Sequence, residues 1–276
     1  RERVEDPPGF ARTLCDRHYG IGADGLILIC PSKVSDFKME IYNSDGSVAG
    51  MCGNGIRCLG KYVYDYRLTG KETLSIETKS GIRNMHLHIQ DGKACGAMVD
   101  MGVPRLNAHS IPILSEKDLV INDPIEVQEK NYRMTGISMG NPHAVIFSEE
   151  INGISLEETG KTEIVALDKT GTITKGEPKG RELEFHPRFP ERANIEFCHV
   201  TARDRMEIRV WERGVGETLA CGTGACAAVV ASVLNDLTDE EVIVKLLGGE
   251  LSVRWDRKVN HVFLEGPAVK VFDGVL

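Results

Sequence analysis

The pattern Cys-Gly-x-Gly occurs twice in this sequence, once in each half, and each copy directly precedes a run with helical character. The copies are Cys52-Gly53-Asn54-Gly55 and Cys221-Gly222-Thr223-Gly224. Glycine lets a backbone approach a ligand without an intervening side chain, and the first N–H groups of a helix have no partner within it. Each copy therefore predicts a loop that becomes a helix, with a thiol and room for an anion at its start.

The residues after each cysteine indicate what kind of helix follows. After Cys52, apolar residues recur at helical spacing as far as Tyr66, which predicts an amphipathic helix. After Cys221, small and apolar residues predominate, which predicts a buried helix ending near Leu237. The positive end of the helix dipole favours negative charge, so both cysteines are expected to tend toward the thiolate form.

Strand patterns surround both predicted helices. Residues 25–30, 37–43 and 73–100 carry them in the first half, and residues 125–147, 194–212 and 242–272 in the second. A short helix is expected from the capping residue Asp6 to Gly20. Each half therefore predicts several antiparallel strands around one helix.

This repeat predicts an α+β fold of two pseudo-symmetric lobes, each a mostly antiparallel sheet wrapped round a central helix. The first lobe is expected at residues 1–103, joined by a C-terminal strand within 267–276. The second is expected at 104–266, with an inserted loop at about 162–179. Two matching lobes predict an active site in the cleft between them, with both helix starts pointing into it.

Composition narrows the function classes. A net formal charge of −8 weighs against nucleic acid or an anionic membrane as the main partner. No apolar run reaches the roughly 18 residues of a membrane helix, and the charged first residues predict no signal peptide. We expect a cytoplasmic protein whose eight cysteines are mostly reduced, and no metal site, since no compact ligand cluster is present.

Two cysteines on opposite sides of one small ligand would suit racemisation. A thiolate on one face removes a proton from carbon, and a thiol on the other face returns one with inversion. The helix N-termini supply N–H donors for a carboxylate of that ligand. The alternatives are that each pattern is only a structural turn, or that Cys52 and Cys221 form a disulfide.

Several stretches resemble diaminopimelate epimerases. They are residues 43–58, residues 211–225, Gly20-Ile21-Gly22-Ala23-Asp24-Gly25, Gly140-Asn141-Pro142-His143 and Pro190-Glu191-Arg192-Ala193-Asn194. The resemblance implies two similar lobes, no pyridoxal phosphate or other cofactor, and a small amino-acid substrate. It implies that Cys52 and Cys221 are the base and acid that interconvert LL- and meso-diaminopimelate, in lysine and cell-wall synthesis. A homodimer is a further expectation.

The same resemblance implies roles for other residues. Those that would hold substrate are Asn43, Gly53, Asn54, Asn141, Asn194, Glu212, Arg213, Gly222 and Thr223. His143 and Glu212 would stand close to the thiols and help to set their protonation.

Each of these residues has a plainer interpretation from sequence alone. Asn43 could cap its own turn, His143 could be an ordinary hydrogen-bonded histidine at a strand start, and Glu212-Arg213 could be a solvated pair. Glu217 is expected to serve only its loop. Two other functions stay open: a proline-racemase-like enzyme, and a redox or binding protein with a reversible Cys52–Cys221 disulfide.

The sequence departs from the family in two places. No Gly-Asn-Asp segment precedes Arg1, so we expect the first lobe to lack a strand and the pocket to lack one ligand. Residues 162–179 resemble the phosphorylation loop of P-type cation-transporting ATPases, with Asp168 at the phosphorylated position. Because the sequence has no Walker loop and no second Mg²⁺-binding motif, we expect an inserted loop or hairpin there, without phosphate transfer.

Overall fold

The protein is described by a computed structural model, which covers residues 4–127, 130–151 and 179–274. The chain divides into two compact units. The first consists of Arg1–Met101 and Phe263–Leu276, and the second of Gly102–Val262. Residues 162–178, including Asp168, lie outside the described residues, so the expected inserted loop stays a prediction.

The first unit builds one sheet in the order β1-β2-β4-β5-β6-β15. Its elements are α1 (Pro7–Cys15), β1 (Gly25–Cys30), β2 (Phe37–Asn43), β3 (Val48–Ala49), α2 (Gly53–Asp65), β4 (Thr73–Thr78), β5 (Gly81–Gln90), β6 (Lys93–Gly102) and β15 (His261–Pro267). Helix α2 buries Ile56, Leu59 and Val63. It passes so close to β5 that a Cβ at Gly60 would lie 2.5 Å from the Met85 sulfur.

The second unit builds its sheet in the order β14-β13-β11-β10-β9-β8-β7. Its elements are β7 (Asp123–Val127), β8 (Lys130–Ser138), β9 (Pro142–Phe147), α3 (Lys179–Glu184), β10 (Asn194–Ala202), β11 (Arg205–Glu212), β12 (Gly216–Thr218), α4 (Gly222–Leu234), β13 (Glu241–Leu246) and β14 (Gly249–Asp256). Helix α4 is buried without interruption from Gly222 to Ser232 and contacts six strands. Its apolar residues therefore surround the whole helix axis.

The two units repeat one plan. Helix α2 connects β2 to β4, and helix α4 connects β11 to β13. Each of these strand pairs is parallel within a mostly antiparallel sheet. In each unit a short strand precedes the helix and pairs with the strand before it: β3 pairs with β2, and β12 pairs with β11. The α+β class and the repeat are confirmed, and the parallel pair that each helix crosses is an addition to the expected antiparallel plan.

Two local predictions were wrong. Helix α1 begins at the cap Asp6 as expected, where the carboxylate accepts the Gly9 N–H at 3.1 Å. It ends at Cys15 rather than near Gly20, because the Asp16 carboxylate accepts the N–H groups of His18 and Tyr19 in a separate turn. The strand expected at residues 268–272 is absent from the described residues.

The last strand is β15, and the chain beyond it makes one further backbone bond to β6. That bond runs from the Ala268 N–H to the Cys95 carbonyl at 3.0 Å. The apolar residues that suggested a further strand, Val269, Val271 and Phe272, are exposed. Alternating apolar residues predict a strand only where one face is covered.

Truncating the core face of α2 should destabilise the protein. Leu59 is 2% exposed, so we expect Leu59→Ala to lower the free energy of unfolding by about 2–5 kcal/mol. The neighbouring Cys58 is exposed, so Cys58→Ala should stay within about 0.5 kcal/mol of wild type. Denaturant unfolding measures both, and equal losses would contradict the packing described for α2.

Candidate active site

Both cysteines occupy the N-cap position of their helix, with nearly the same backbone. Cys52 has φ −140° and ψ 112° before α2, and Cys221 has φ −131° and ψ 111° before α4. In each, the cysteine carbonyl accepts the N–H four residues on, from Ile56 and Ala225 respectively. The sequence repeat is therefore also a repeat of local structure.

The second glycine of each pattern lies directly beneath the sulfur. A Cβ built at Gly55 or at Gly224 would lie 3.4 Å from the sulfur of its own cysteine. The Gly55 N–H donates to the Cys52 sulfur at 3.3 Å. The closest contacts of a side chain at these positions would be with other residues: a Cβ at Gly55 would lie 2.5 Å from Cδ1 of Ile27, and one at Gly224 would lie 2.8 Å from Oε1 of Glu196.

The two sulfurs differ in their surroundings. Cys52 is partly buried and caps its helix. Cys221 is 6% exposed and makes no capping hydrogen bond. Its sulfur lies 3.5 Å from the Thr223 hydroxyl oxygen. One motif thus produces two unlike thiols.

For Cys221 the expected tendency toward thiolate is corrected. Burial raises the pKa of the thiol well above its usual value, and the charges of Glu212 and Glu196 raise it further. The Thr223 hydroxyl and the Gly224 N–H act in the opposite direction, but their effect on the pKa is smaller. Desolvation and two nearby carboxyl groups therefore outweigh the helix terminus, and Cys221 is a thiol at neutral pH.

His143 lies at the start of β9 and is completely buried. Its Nδ1 is 2.6 Å from Oε1 of Glu196, and its Nε2 is 3.2 Å from Oδ1 of Asn141. The parallel register pairs His143 with Asn194. Because side chains alternate along a strand, Glu196 lies on the same face as Asn194, and this is how the histidine reaches it.

Asn194 lies beside this pair. Its Oδ1 accepts the Arg213 N–H at 2.8 Å, while its Nδ2 is buried and has no hydrogen-bond partner among the described residues. Glu212, at the end of β11, accepts the Thr218 hydroxyl at 2.7 Å. Arg213 is exposed and donates to the Glu191 carbonyl at 2.8 Å. Within the second unit, the structure links His143 to Asn141 and the Asn194 side chain to the Arg213 backbone, while Cys221, Gly222 and Thr223 lie at the start of α4.

The first unit holds the other predicted residues. Asn43 is exposed, and its Nδ2 donates to the Ser47 hydroxyl at 2.9 Å within its own turn. Asn54 accepts a hydrogen bond from Arg57 at 3.0 Å, and the same guanidinium donates to the Gly53 carbonyl at 3.0 Å. Arg57 is buried and also donates to the Pro267 carbonyl at 3.2 Å. It therefore fixes the first turn of α2.

Sequence reasoning missed two of these residues, Glu196 and Arg57. Both leave a signal: Glu196 is an acid inside the apolar run Ile195–Cys198, and Arg57 is a cation on the buried face of an amphipathic helix. A charged residue in a buried pattern usually has a specific partner. Glu217, expected to serve its loop, makes two hydrogen bonds to Arg209, at 2.7 and 2.9 Å.

Two negative observations complete the site. Within residues 4–127, 130–151 and 179–274, no three His, Cys, Asp or Glu side chains are grouped so as to hold a metal ion. None of the helices in these ranges has the length and apolar character needed to cross a membrane.

Comparison with known proteins identifies the family. The sequence profile described as diaminopimelate epimerase matches residues 2–107 and 135–271, which is most of the chain. This chain belongs to the diaminopimelate epimerase family. The second matched range includes the residues 162–179 that resemble an ATPase loop.

Curated diaminopimelate epimerases match along nearly the whole chain. The one from Acetivibrio thermocellus is 49% identical over 273 residues, covering 99% of this chain and 90% of the relative. The enzyme from Methanococcus maripaludis is 45% identical, covering 99% and 91%. The enzyme from Desulfovibrio desulfuricans is 44% identical, also covering 99% and 91%.

Solved structures share the fold at low identity. A probable proline racemase from Agrobacterium radiobacter superposes with a TM-score of 0.65 at 15% identity, covering 95% of this chain and 79% of that one. A hydroxyproline epimerase from Agrobacterium vitis gives 0.64 at 15%, covering 95% and 78%. A Bacillus anthracis protein of the PhzF family gives 0.62 at 15%, covering 100% and 90%. These likenesses show a shared two-lobed α+β fold.

The packing beneath Cys221 predicts that an alanine at Gly224 is destabilising. Alanine normally stabilises a helix relative to glycine by about 0.5–1 kcal/mol. Here its Cβ would lie 2.8 Å from Oε1 of the buried Glu196, so we expect Gly224→Ala to cost about 1–3 kcal/mol of stability instead.

Denaturant unfolding measures the effect. The control is Gly70→Ala, because a Cβ at Gly70 meets nothing within 4 Å. A Gly224→Ala protein as stable as wild type would show that Glu196 does not pack against α4 as described.

Proposed function

We propose that this protein interconverts LL- and meso-diaminopimelate, without a cofactor, by a mechanism that uses Cys52 and Cys221. The observation that carries the proposal is the repeat of one N-cap geometry around a cysteine in both units, in a chain of the diaminopimelate epimerase family. The relatives at 44–49% identity are themselves named diaminopimelate epimerases. The product serves lysine and peptidoglycan synthesis.

The proposed chemistry transfers one proton from each side of the substrate α-carbon. The thiolate of one cysteine takes the α-proton and becomes a thiol, leaving the electron pair on carbon. The thiol of the other cysteine gives its proton to the opposite face and becomes a thiolate. The configuration at that carbon is inverted, and the enzyme must exchange its protons before it can repeat the same direction.

We assign the acid in the LL to meso direction to Cys221. Burial and two carboxyl groups raise the pKa of the Cys221 thiol, so it holds a proton to give. Cys52 is the base in that direction. Its sulfur already accepts the Gly55 N–H, an arrangement that suits a thiolate.

The carboxylate beside the reacting carbon needs hydrogen-bond donors as negative charge develops on it. The first N–H groups of α2 and α4, at Gly53, Asn54, Gly222 and Thr223, are such donors. Removal of one donor to a developing oxyanion typically costs about 10²–10³ in kcat. The buried Nδ2 of Asn194, which has no partner within residues 4–127, 130–151 and 179–274, is a further donor for substrate.

Polar side chains are proposed to recognise the rest of the substrate. They are Asn43, Asn54, Asn141, Glu212 and Arg213. Asn54 is oriented by Arg57, and Asn141 by His143, so both are held in place without substrate. Preorganised partners lower the entropy lost on binding.

A proline-racemase-like activity is the second candidate within the fold. Its support is the fold likeness at 15% identity, whereas the family profile and the relatives favour diaminopimelate as the substrate. The third candidate is a redox or binding protein that forms a reversible disulfide between Cys52 and Cys221. Thiol titration with and without reductant, beside an epimerase assay, separates it from the enzyme. A cytoplasmic location and a homodimer stay predictions.

The two-base mechanism predicts that both cysteines are needed for epimerisation. We expect Cys52→Ala and Cys221→Ala each to lower the rate at least about 100-fold, because general acid–base groups typically contribute 10²–10⁴. Incubation of diaminopimelate in D₂O, followed by NMR and chiral chromatography, measures both α-proton exchange and epimerisation.

The matched control for these variants is Cys58→Ala. Cys58 is an exposed cysteine in the same helix as Cys52, so its replacement should leave both rates unchanged. Full epimerisation by either Cys52→Ala or Cys221→Ala would refute the mechanism.

A further inference from the structure

Glu196 is a buried acid for which the proposed chemistry has no use so far. It lies in β10 between Ile195 and Phe197, and all three residues are completely buried. A carboxyl group in such a place loses its hydration and needs hydrogen bonds in return. Oε1 has His143 as its partner at 2.6 Å, but Oε2 is buried and finds no partner in the part of the chain that the structure describes.

The hydrogen bonds of His143 show what holds its ring in place. Its Nε2 lies 3.2 Å from the amide oxygen of Asn141. Its Nδ1 lies 2.6 Å from Oε1 of Glu196, a short contact of the kind that a charged group makes. Glu196 therefore holds the ring at one nitrogen, while Asn141 meets the other.

Glu196 also borders the thiol. Its Oε1 and the Cys221 sulfur lie 2.8 and 3.4 Å from the position that a Cβ would take at Gly224. The carboxyl oxygen and the sulfur therefore flank the same residue in the first turn of α4. A charge on Glu196 acts on Cys221 through a dry interior, where such effects are strong.

The other titratable groups facing this place come from three strands. His143 on β9 and Glu212 on β11 both act on Glu196, whose pKa is raised, first by burial. Cys198 on β10 is acted on by Glu196, and burial raises its pKa first. Cys221 is affected by Glu212 as well as by Glu196. His143 is the basic group among them, and it is hydrogen-bonded to Glu196.

We propose that Glu196 is a positioning residue of the Cys221 site: it clamps His143 through Nδ1, and its carboxyl group borders the Cys221 thiol beside Gly224. The inference rests on the proposed function, since a thiol that holds its proton is what an acid on that side requires. It adds a residue that touches neither substrate nor the reacting carbon. The clamp and the charge are separate properties of the same side chain.

Two substitutions separate them. Glu196→Gln keeps the length of the side chain and a polar partner for Nδ1 but removes the negative charge. Glu196→Asp withdraws the carboxyl group by one methylene, beyond hydrogen-bond reach of His143. A matched control is Glu217→Gln, because Glu217 also precedes Cys221 but pairs with Arg209.

The measurement is the pH dependence of Cys221 alkylation by iodoacetamide, read by mass spectrometry of the peptide that contains Cys221. Removing a nearby negative charge makes the thiolate easier to form. We therefore expect the midpoint of alkylation to fall by about one pH unit in Glu196→Gln. In Glu217→Gln it should stay at the wild-type value.

Steady-state kinetics test the clamp. Glu196→Asp should lower kcat of epimerisation about tenfold or more with KM little changed, because His143 loses its anchor. Glu196→Gln should retain more of kcat than Glu196→Asp at the pH where each is most active. Circular dichroism on each variant checks that the fold is intact.

The two proposals fail in different ways. A Glu196→Gln midpoint equal to wild type, or shifted upward, would overturn the role of Glu196, whatever the enzyme does to diaminopimelate. Should Glu196→Gln not fold, a folded Glu196→Asp protein with the kcat of wild type would overturn it instead. A folded wild-type protein without epimerase activity would overturn the proposed function and leave the alkylation result valid.

Discussion

Complete burial of helix α4 is the constraint on which the second unit depends. A helix surrounded by strands on every side needs small residues, and Ala and Val occupy most of its length. Its N-terminus is therefore buried as well, and the N–H groups there cannot form hydrogen bonds with water. Backbone donors in such a place require a partner. Burial of α4 therefore forms the core of the unit and also leaves N–H donors at the helix start that can bind an anion.

Burial also makes the two cysteines chemically unlike. The backbone at Cys52 and at Cys221 is nearly the same, and a glycine lies beneath each sulfur. Helix α2, however, is amphipathic and leaves Tyr62 exposed, and Cys52 at its start is partly buried. Cys221 is buried, and the charges of Glu212 and Glu196 act on it. A two-base enzyme needs one thiolate and one thiol at a time, and different surroundings of one motif supply that difference.

Local patterns predicted most of the elements. Strand patterns and turn residues located β1 and β2 to the residue, and the cysteine pattern located the starts of α2 and α4. The errors arose where local signals compete. Gly20 suggested a helix end that the Asp16 turn had already provided, and the apolar residues after Ala268 suggested a strand that nothing covers. The parallel pairing of β2 with β4 and of β11 with β13 joins strands separated by a helix, so no short-range pattern could reveal it.

The sequence by itself determined the family, the α+β class and the two helix starts that carry the cysteines. These depend on residues close together in the chain, where propensity and hydrogen bonding act directly. Only the tertiary structure decided that Cys221 is a protonated thiol and that Glu196 holds His143. Both follow from strands β9, β10 and β11 meeting the first turn of α4 in a dry interior. Desolvation and charge at such a point depend on which distant residues come together, and the linear order of the chain does not contain that information.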